Sequence, residues 1–209
     1  MTKKKRNKIP FFFHYNNGDN MYYVNVFFIY SIIGYIIEYI IHLISGYDGG
    51  ILYGFWTPVY GIGSLIIIYI YNKFLYKLNN HKRLRALIIF LIGFFVLSFI
   101  EYIGGILIEF IFNKTIWNYT SYKFNIGKYI ALEMSLLWGI SSLILIYVLK
   151  NPIDKIIKKI PKFVTWILII LFIIDLICTL IFKWFLFINY SFKFISFSIK
   201  NHIIIFKTS

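Results

Sequence analysis

Three glutamates in long apolar segments are the residues of this chain best able to carry out chemistry. Glu38, Glu101 and Glu133 each lie among Ile, Leu, Phe and Tyr residues. A carboxylate within a bilayer is energetically costly and usually faces a protein interior or a water-filled cavity. Such groups could bind a cation, a proton or a polar substrate group. They could equally hold helices together through hydrogen bonds, and the sequence leaves both interpretations open.

A Gly-rich aromatic segment before the second apolar run is another place where a ligand could bind. Residues 45–60 read SGYDGGILYGFWTPVY. Gly54 relieves the backbone of steric constraint, and Pro58 suits the first turn of a helix. Tyr53 and Trp56 either line an entrance to the helical bundle or belong to an ordinary aromatic turn at the membrane surface. The physical argument alone favours the turn.

Other reactive groups are few. Asp175 stands alone near the middle of the last apolar run, where it is expected to pair with a group on the other helices or to support an interhelical hydrogen bond. The only cysteine, Cys178, lies in an apolar run, and the four histidines have no metal-site spacing. No metal, cofactor or catalytic residue is therefore predicted.

The composition is typical of a membrane protein. Of the 209 residues, 60% are hydrophobic, and the mean hydropathy is +0.75, whereas soluble domains are closer to half apolar. The formal charge is +14, but Lys and Arg form short blocks between apolar runs. This arrangement indicates membrane orientation and anionic-lipid contacts, not nucleic-acid binding. The chain has no Walker-type phosphate loop, so a separate subunit would have to hydrolyse any ATP.

Five apolar segments are long enough to cross a membrane as helices, which need about 20 residues. They cover residues 23–43, 57–74, 86–112, 128–149 and 163–185. The predicted fold class is therefore all-α, a polytopic transmembrane helical bundle of about five spans. The third segment is expected to tilt, or to kink near Gly104 and Gly105.

The connections between these segments predict an orientation in the plasma membrane. The N-terminal tail and the connections after spans two and four hold five Lys or Arg each, whereas the connections after spans one and three hold none and three. Positive charge favours the cytoplasmic side, so the N-terminus is predicted to be cytoplasmic and the loops after spans one and three to be outside. Residues 1–22 form the cytoplasmic basic tail, and residues 189–209 form an amphipathic C-terminal tail.

An internal repeat relates the first two spans to the next two. Residues 60–69, YGIGSLIIIY, match residues 138–147, WGISSLILIY, at seven of ten positions. The residues IEYI recur around Glu38 and Glu101. The sequence thus predicts a tandem parallel repeat of two helical hairpins, at about 23–75 and 86–150, within a duplicated core over 23–150. Residues 151–188 supply a linker and one extra span.

Several of these motifs resemble those of a bacterial family, the putative ABC-transporter type IV, permease-like proteins. Residues 52–63, LYGFWTPVYGIG, resemble a family segment of the type LYGPFCPIYGFG. Residues 117–120, WNYT, then 124–127, FNIG, then Glu133 and Trp138-Gly139 are similar to its pattern WDYS, FN..G, E, WG. The resemblance covers about residues 24–152. It departs at Thr57 and Asn118, where the family has Cys and Asp.

The resemblance implies a permease subunit and groups the glutamates with the two loops. The predicted site contains three glutamates and three aromatic residues, supported by glycines, a proline and an aspartate. The binding residues are Glu38, Glu101, Glu133, Tyr53, Trp56 and Trp117. The supporting residues are Gly54, Pro58, Gly61, Gly127, Gly139 and Asp175.

The expected function is movement of a small solute or cation through a cavity lined by these glutamates. The expected partners are membrane lipids, with a separate ATPase subunit or a second copy of the chain as further candidates. Two alternatives stay open. One is a membrane enzyme acting on lipid or envelope precursors, with carboxylates as acid or base groups. The other is a non-catalytic scaffold or sensor.

Overall fold

The computed structural model describes residues 20–46, 52–78, 81–113 and 115–182, and these residues are predominantly helical, as predicted. Residues 1–19 of the predicted basic tail, 1–22, and the C-terminal tail at 189–209 lie outside them, and residues 20–22 belong to the first helix. The described helices are α1 Asn20–Ser45, α2 Pro58–Lys73, α3 Lys82–Phe112, α4 Leu132–Ile157 and α5 Lys162–Phe182. A 3₁₀ turn, Leu75–Leu78, follows α2. Strands β1 Asn125–Ile126 and β2 Ile130–Ala131 form an antiparallel pair before α4.

Four of these helices, α1, α3, α4 and α5, are long and apolar enough to cross a membrane. Helix α2 has 16 residues, which is short for the hydrocarbon core of a bilayer. The five-span count therefore stays a prediction. Pro58 is the first residue of α2. Proline lacks a backbone N–H, and an N–H at this position would have no acceptor within the helix.

The fourth helix begins later than the sequence predicts, at Leu132 and not at residue 128. Gly127 adopts a φ of +65° between the two strands, a conformation that suits glycine. The Leu132 N–H then donates to the Phe124 carbonyl at 2.9 Å. This short hairpin uses residues that would otherwise extend the helix.

The long helices α3 and α4 each contain a π-helical segment, and the segment in α3 does not lie at the predicted kink near Gly104 and Gly105. Residues Gly93–Leu97 of α3 and Leu145–Leu149 of α4 have π geometry. Residues Ser98–Phe112 form one α-helical stretch that runs through Gly104 and Gly105. A Cβ on Gly93 would meet the Ser142 side chain and the Trp138 carbonyl, so α3 and α4 approach closely at the π segment of α3.

The buried core lies between α1, α2, α3 and α4. Its apolar centre includes Val26, Ile67, Ile68, Ile89 and Leu145. Helix α5 joins this core through a buried hydrogen bond of 2.8 Å from the Thr165 hydroxyl to Asn25 Oδ1. Many Ile, Leu and Phe side chains on the outer faces of the helices remain exposed, as expected of surfaces that contact lipid.

The helical bundle has two chemically distinct ends. The loop end carries residues 52–57 and 115–131, which connect α1 to α2 and α3 to α4. The lysine end carries the turn Leu75–Leu78 and the last turns of α4. At the lysine end, Asp154 accepts hydrogen bonds from Tyr22 at 2.8 Å and Lys150 at 2.5 Å.

Candidate functional site

Glu101 is a buried carboxylate within α3, with 5% of its surface exposed. Its Oε1 accepts a hydrogen bond from the Tyr119 hydroxyl at 2.6 Å, and its Oε2 accepts one from Trp138 Nε1 at 2.8 Å. Both donors are neutral. No Lys or Arg among the described residues is paired with it. The carboxyl group is therefore hydrogen-bonded, but no cationic side chain of the described residues is paired with it.

Glu38 of α1 has a similar arrangement and is half-buried. Its Oε1 accepts a hydrogen bond of 2.7 Å from the hydroxyl of Tyr60 in α2. The Tyr60 hydroxyl lies within electrostatic range of both Glu38 and Glu101. The two carboxylates also act on each other, so they occupy one region of the bundle.

The two aromatic donors meet between the carboxylates. The rings of Tyr60 and Trp138 pack edge to face with centroids 5.6 Å apart. A line of contacts thus runs from Glu38 through Tyr60 and Trp138 to Glu101. It joins the helical pair α1–α2 to the helical pair α3–α4.

Equivalent positions of the sequence repeat make equivalent contacts. Tyr60 and Trp138 occupy the same repeat position, and each donates to the glutamate of its own helical pair. One residue later, a Cβ on Gly61 would meet Phe27, and a Cβ on Gly139 would meet Phe90. Both glycines therefore permit close packing against a phenylalanine of the preceding helix.

The loop before α4 lies along the C-terminal half of α3. Trp117 and Tyr129 pack with centroids 6.1 Å apart. The space beside Gly105 is filled by the Tyr129 ring, and Trp117 lies near Gly104. Trp117 Nε1 is buried without a hydrogen-bond partner among the described residues.

Glu109, two turns beyond Glu101 on α3, has the cationic partner that Glu101 lacks. Lys128 donates to its Oε1 at 2.7 Å, and the Tyr129 hydroxyl donates to its Oε2 at 2.5 Å. The hydrogen bond to Glu109 raises the pKa of Lys128, so this amine stays charged. Lys128 and Glu109 are both substantially exposed, which makes this pair a surface feature.

Removal of the Lys128 charge is expected to have little effect on stability. In Lys128→Met, the melting temperature should stay within error of the parent value because exposed ion pairs contribute little. Tyr129→Phe should lower it measurably, since it removes the hydroxyl of a buried residue that bonds to Glu109. Thermal unfolding in detergent checks both. A larger loss for the lysine variant would contradict this.

Glu133 lies in the first turn of α4, apart from the hydrogen bonds that link the other two glutamates. Its Oε2 is buried and has no hydrogen-bond partner among the described residues. An acidic group in the first turn of a helix is stabilised by the helix dipole. Glu133 therefore presents an unused acceptor.

The loop before α2 is held by helix α5 and not by the glutamates. Asp175 accepts hydrogen bonds from the backbone N–H groups of Tyr53 at 3.1 Å and Gly54 at 3.0 Å, and from Trp56 Nε1 at 2.7 Å. The Trp56 ring packs on Phe172 of the same helix at 5.7 Å. Tyr53 itself is exposed. Asp175, expected to pair with a group on the core, thus binds the loop.

The structure divides the twelve predicted residues among several places. Glu38 and Glu101 are brought together, with Gly61 and Gly139 packed close by. Tyr53, Gly54 and Trp56 are gathered at Asp175. A cavity between the helices of the core is lined by Tyr60 and Trp138, and no glutamate is among its lining residues. No group of three His, Cys, Asp or Glu that could hold a metal ion occurs within the described ranges.

The sequence reasoning did not assign a role to three hydrogen-bond donors of the site. Tyr60 and Trp138 are the first residues of the two matching ten-residue segments, so the repeat indicated that they occupy equivalent positions. Tyr119 stands two residues after Trp117 in the segment WNYT. Its bond to Glu101 could not be read from spacing, because the loop must first fold back along α3.

Comparison with known proteins identifies the family. The model of a family described as putative ABC-transporter type IV matches residues 25–181. This match covers all three predicted glutamates, both loops and nearly all of helix α5, and so extends further along the chain than the resemblance in the sequence motifs. No curated protein and no solved structure matches the chain. With its apolar helices, the match points to a membrane protein, and the chain belongs to the putative ABC-transporter type IV family.

Proposed function

We propose that this protein is a multi-pass, permease-like subunit that moves a small solute or cation across the membrane. Its binding layer is formed by the carboxylates Glu38 and Glu101, with Glu133 and Trp117 as further polar groups. The observation that carries the proposal is the state of Glu101, which is buried and bound only by neutral donors. The family description supports a role in transport.

A buried carboxylate with neutral partners is suited to take up positive charge. Its desolvation is costly unless a counter-charge is present. Glu38 lies close enough to add repulsion. One proton or cation between them would relieve both costs. Glu109 differs from Glu101 in this respect, because its charge is already balanced by Lys128.

The equivalent contacts of the two helical pairs support the predicted tandem repeat. Each pair would supply one glutamate and one aromatic donor, related by an axis along the membrane normal. The layer would then lie at the interface between the two repeats. Relative motion of the repeats would change the separation of the carboxylates, which gives transport a simple mechanical basis.

The direction of the chain in the membrane follows from its charge. We place the lysine end in the cytoplasm of the cell and the loop end outside. A separate ATPase subunit, as the family description suggests, would contact the lysine end. Anionic lipid headgroups would contact the same lysines and arginines.

A second candidate is a scaffold in which the glutamates only fasten helices. It is favoured by the fact that both oxygens of Glu101 accept hydrogen bonds, one from the loop before α4 and one from α4 itself. Interhelical hydrogen bonds in membranes are worth about 0.6 kcal/mol on average. This candidate predicts loss of stability, but no ion dependence, when Glu101 is changed.

Cation binding by purified protein separates the two candidates. The chloride salts of Li⁺, Na⁺, K⁺, Mg²⁺ and Ca²⁺ are titrated at several pH values, and thermal unfolding is followed. A cation at 100 times its Kd should stabilise the parent by about 2.7 kcal/mol. Glu101→Gln should abolish this shift and keep the fold, because the amide retains an acceptor oxygen. Glu109→Gln is the matched control and should retain the shift.

The same variants are then compared in proteoliposomes with the stabilising cation as tracer. Flux that depends on Glu101 but not on Glu109 supports transport. Normal flux in both Glu101→Gln and Glu38→Gln would refute the proposal. A lowered melting temperature in Glu101→Gln, without any cation effect in the parent, would favour the scaffold.

A further inference from the structure

A cavity of about 210 Å³ lies between the two helical pairs, separate from the carboxylates. Helices α1, α2, α3 and α4 all contribute to its wall. Most of the lining is aliphatic, including Ile33, Ile37, Leu97, Ile100 and Leu145. The rings of Tyr60 and Trp138 also line it. Their polar atoms bond to Glu38 and Glu101 and are therefore already used.

One polar group at this cavity has no partner. Tyr30 of α1 lines the cavity and has 3% of its surface exposed. Its hydroxyl is buried and makes no hydrogen bond to any described residue. A buried hydroxyl without a partner costs about 1–3 kcal/mol. An acceptor on a bound molecule would recover that free energy.

The size and lining of the cavity suit an apolar guest more than water. An apolar cavity of about 150 Å³ stays dry and binds benzene, whereas a buried water needs two to four polar partners. Ser142, one of the polar lining residues, already donates to the Trp138 carbonyl at 2.9 Å. Tyr30, Ser64 and Ser141 supply the other hydroxyl groups of a lining that is otherwise mainly aliphatic and aromatic, so the wall offers water few hydrogen bonds in proportion to its apolar area.

We propose that this cavity binds a small, neutral, largely apolar molecule with one hydrogen-bond acceptor, such as a ketone, ester or ether about the size of one or two rings. The acceptor would bond to the Tyr30 hydroxyl, and the apolar body would fill the space between Ile37, Ile100 and Leu145. Such a molecule partitions into the bilayer and would reach the site from lipid. No carboxylate lines this site, which shares only the rings of Tyr60 and Trp138 with the carboxylate layer.

Benzophenone is a suitable probe because it has two rings, one carbonyl acceptor and light-activated attachment to C–H bonds. Purified full-length protein is irradiated with it, and the attachment sites are mapped by mass spectrometry. Labels are expected on cavity-lining residues. Tyr30→Phe should reduce this labelling about three- to tenfold, which corresponds to one hydrogen bond. Ser64→Leu, which fills the cavity, should abolish it.

The matched control is Tyr39→Phe, because Tyr39 is an exposed tyrosine of the same helix and should leave cavity labelling unchanged. Thermal unfolding verifies that each variant is folded. Labels confined to the lipid-facing surface would overturn the proposal. Equal cavity labelling in the parent and Tyr30→Phe would also overturn it, since the acceptor would then be irrelevant.

A second measurement tests whether the cavity is dry. Cys178 is the only cysteine, so Cys178→Ser gives a background in which Ser64→Cys adds a single thiol to the cavity wall. A membrane-impermeant maleimide should leave this thiol unmodified in liposomes. Rapid modification from either side would show a water-filled passage and would overturn the apolar site.

Discussion

Replacement of Asp175 by Ala should release the loop before α2 from helix α5. One carboxylate accepts hydrogen bonds from the N–H groups of Tyr53, Gly54 and Trp56. Hydrogen bonds to a charged group contribute about 1.5–3 kcal/mol each in soluble proteins, and those within membranes contribute less. Because the three share one acceptor, we expect a total loss of about 3 kcal/mol.

Two measurements check this result. The free energy of unfolding should fall in Asp175→Ala, and limited proteolysis should cut within residues 52–57 at a higher rate. Ile174→Ala is the matched control, since its side chain is exposed on the same helix. An unchanged cleavage rate in Asp175→Ala would mean that the Trp56 ring contacts, and not the carboxylate, hold the loop.

Addition of a methyl group at Gly61 should be more destabilising than the same change at its repeat partner, Gly139. A Cβ at Gly61 would clash with the Ser31 hydroxyl and would lie 2.6 Å from the Phe27 carbonyl oxygen, which belongs to the backbone of the same helix, α1. The three atoms nearest to a Cβ at Gly139 all belong to the Phe90 side chain, the first at 2.5 Å. Overpacking costs about 1–3 kcal/mol, and we expect Gly61→Ala near the upper end and Gly139→Ala near the lower.

A compensating substitution distinguishes crowding from other causes. Phe90→Leu in the Gly139→Ala background should restore part of the lost stability, because a smaller side chain can make room. Phe27→Leu should rescue Gly61→Ala much less, since the backbone oxygen remains. Equal rescue at both positions, measured by unfolding in a double-mutant cycle, would contradict the assigned contacts.

Much of the fold was predictable because helices in lipid are determined by local properties. Apolar runs predicted five helical spans, and Pro58 predicted the start of α2. Four of the described helices, all but α2, are long and apolar enough to cross a membrane. The predicted start of the fourth helix was wrong. Apolar residues at 129–132 continue the run in the sequence, but Gly127 and the strand pair at Asn125–Ala131 assign them to a hairpin.

The site was predictable only in its acidic members. A glutamate in an apolar run must find partners whatever the fold is, so Glu38 and Glu101 could be selected by residue type. The identity of their donors depends on which helical faces meet. Glu101 is 37 residues from Trp138, and Asp175 is 121 residues from Gly54.

The sequence by itself thus determined the helical segments, the charged ends and the acidic residues that need polar partners within the membrane. These follow from hydropathy, charge and the cost of a buried carboxylate, which are properties of single residues and short runs. Only the tertiary structure decided that Asp175 holds the loop before α2, that Tyr60 and Trp138 meet between the glutamates, and that Tyr30 lines an apolar cavity. Such contacts depend on the packing of distant segments, and a short run of sequence contains no information on its partner.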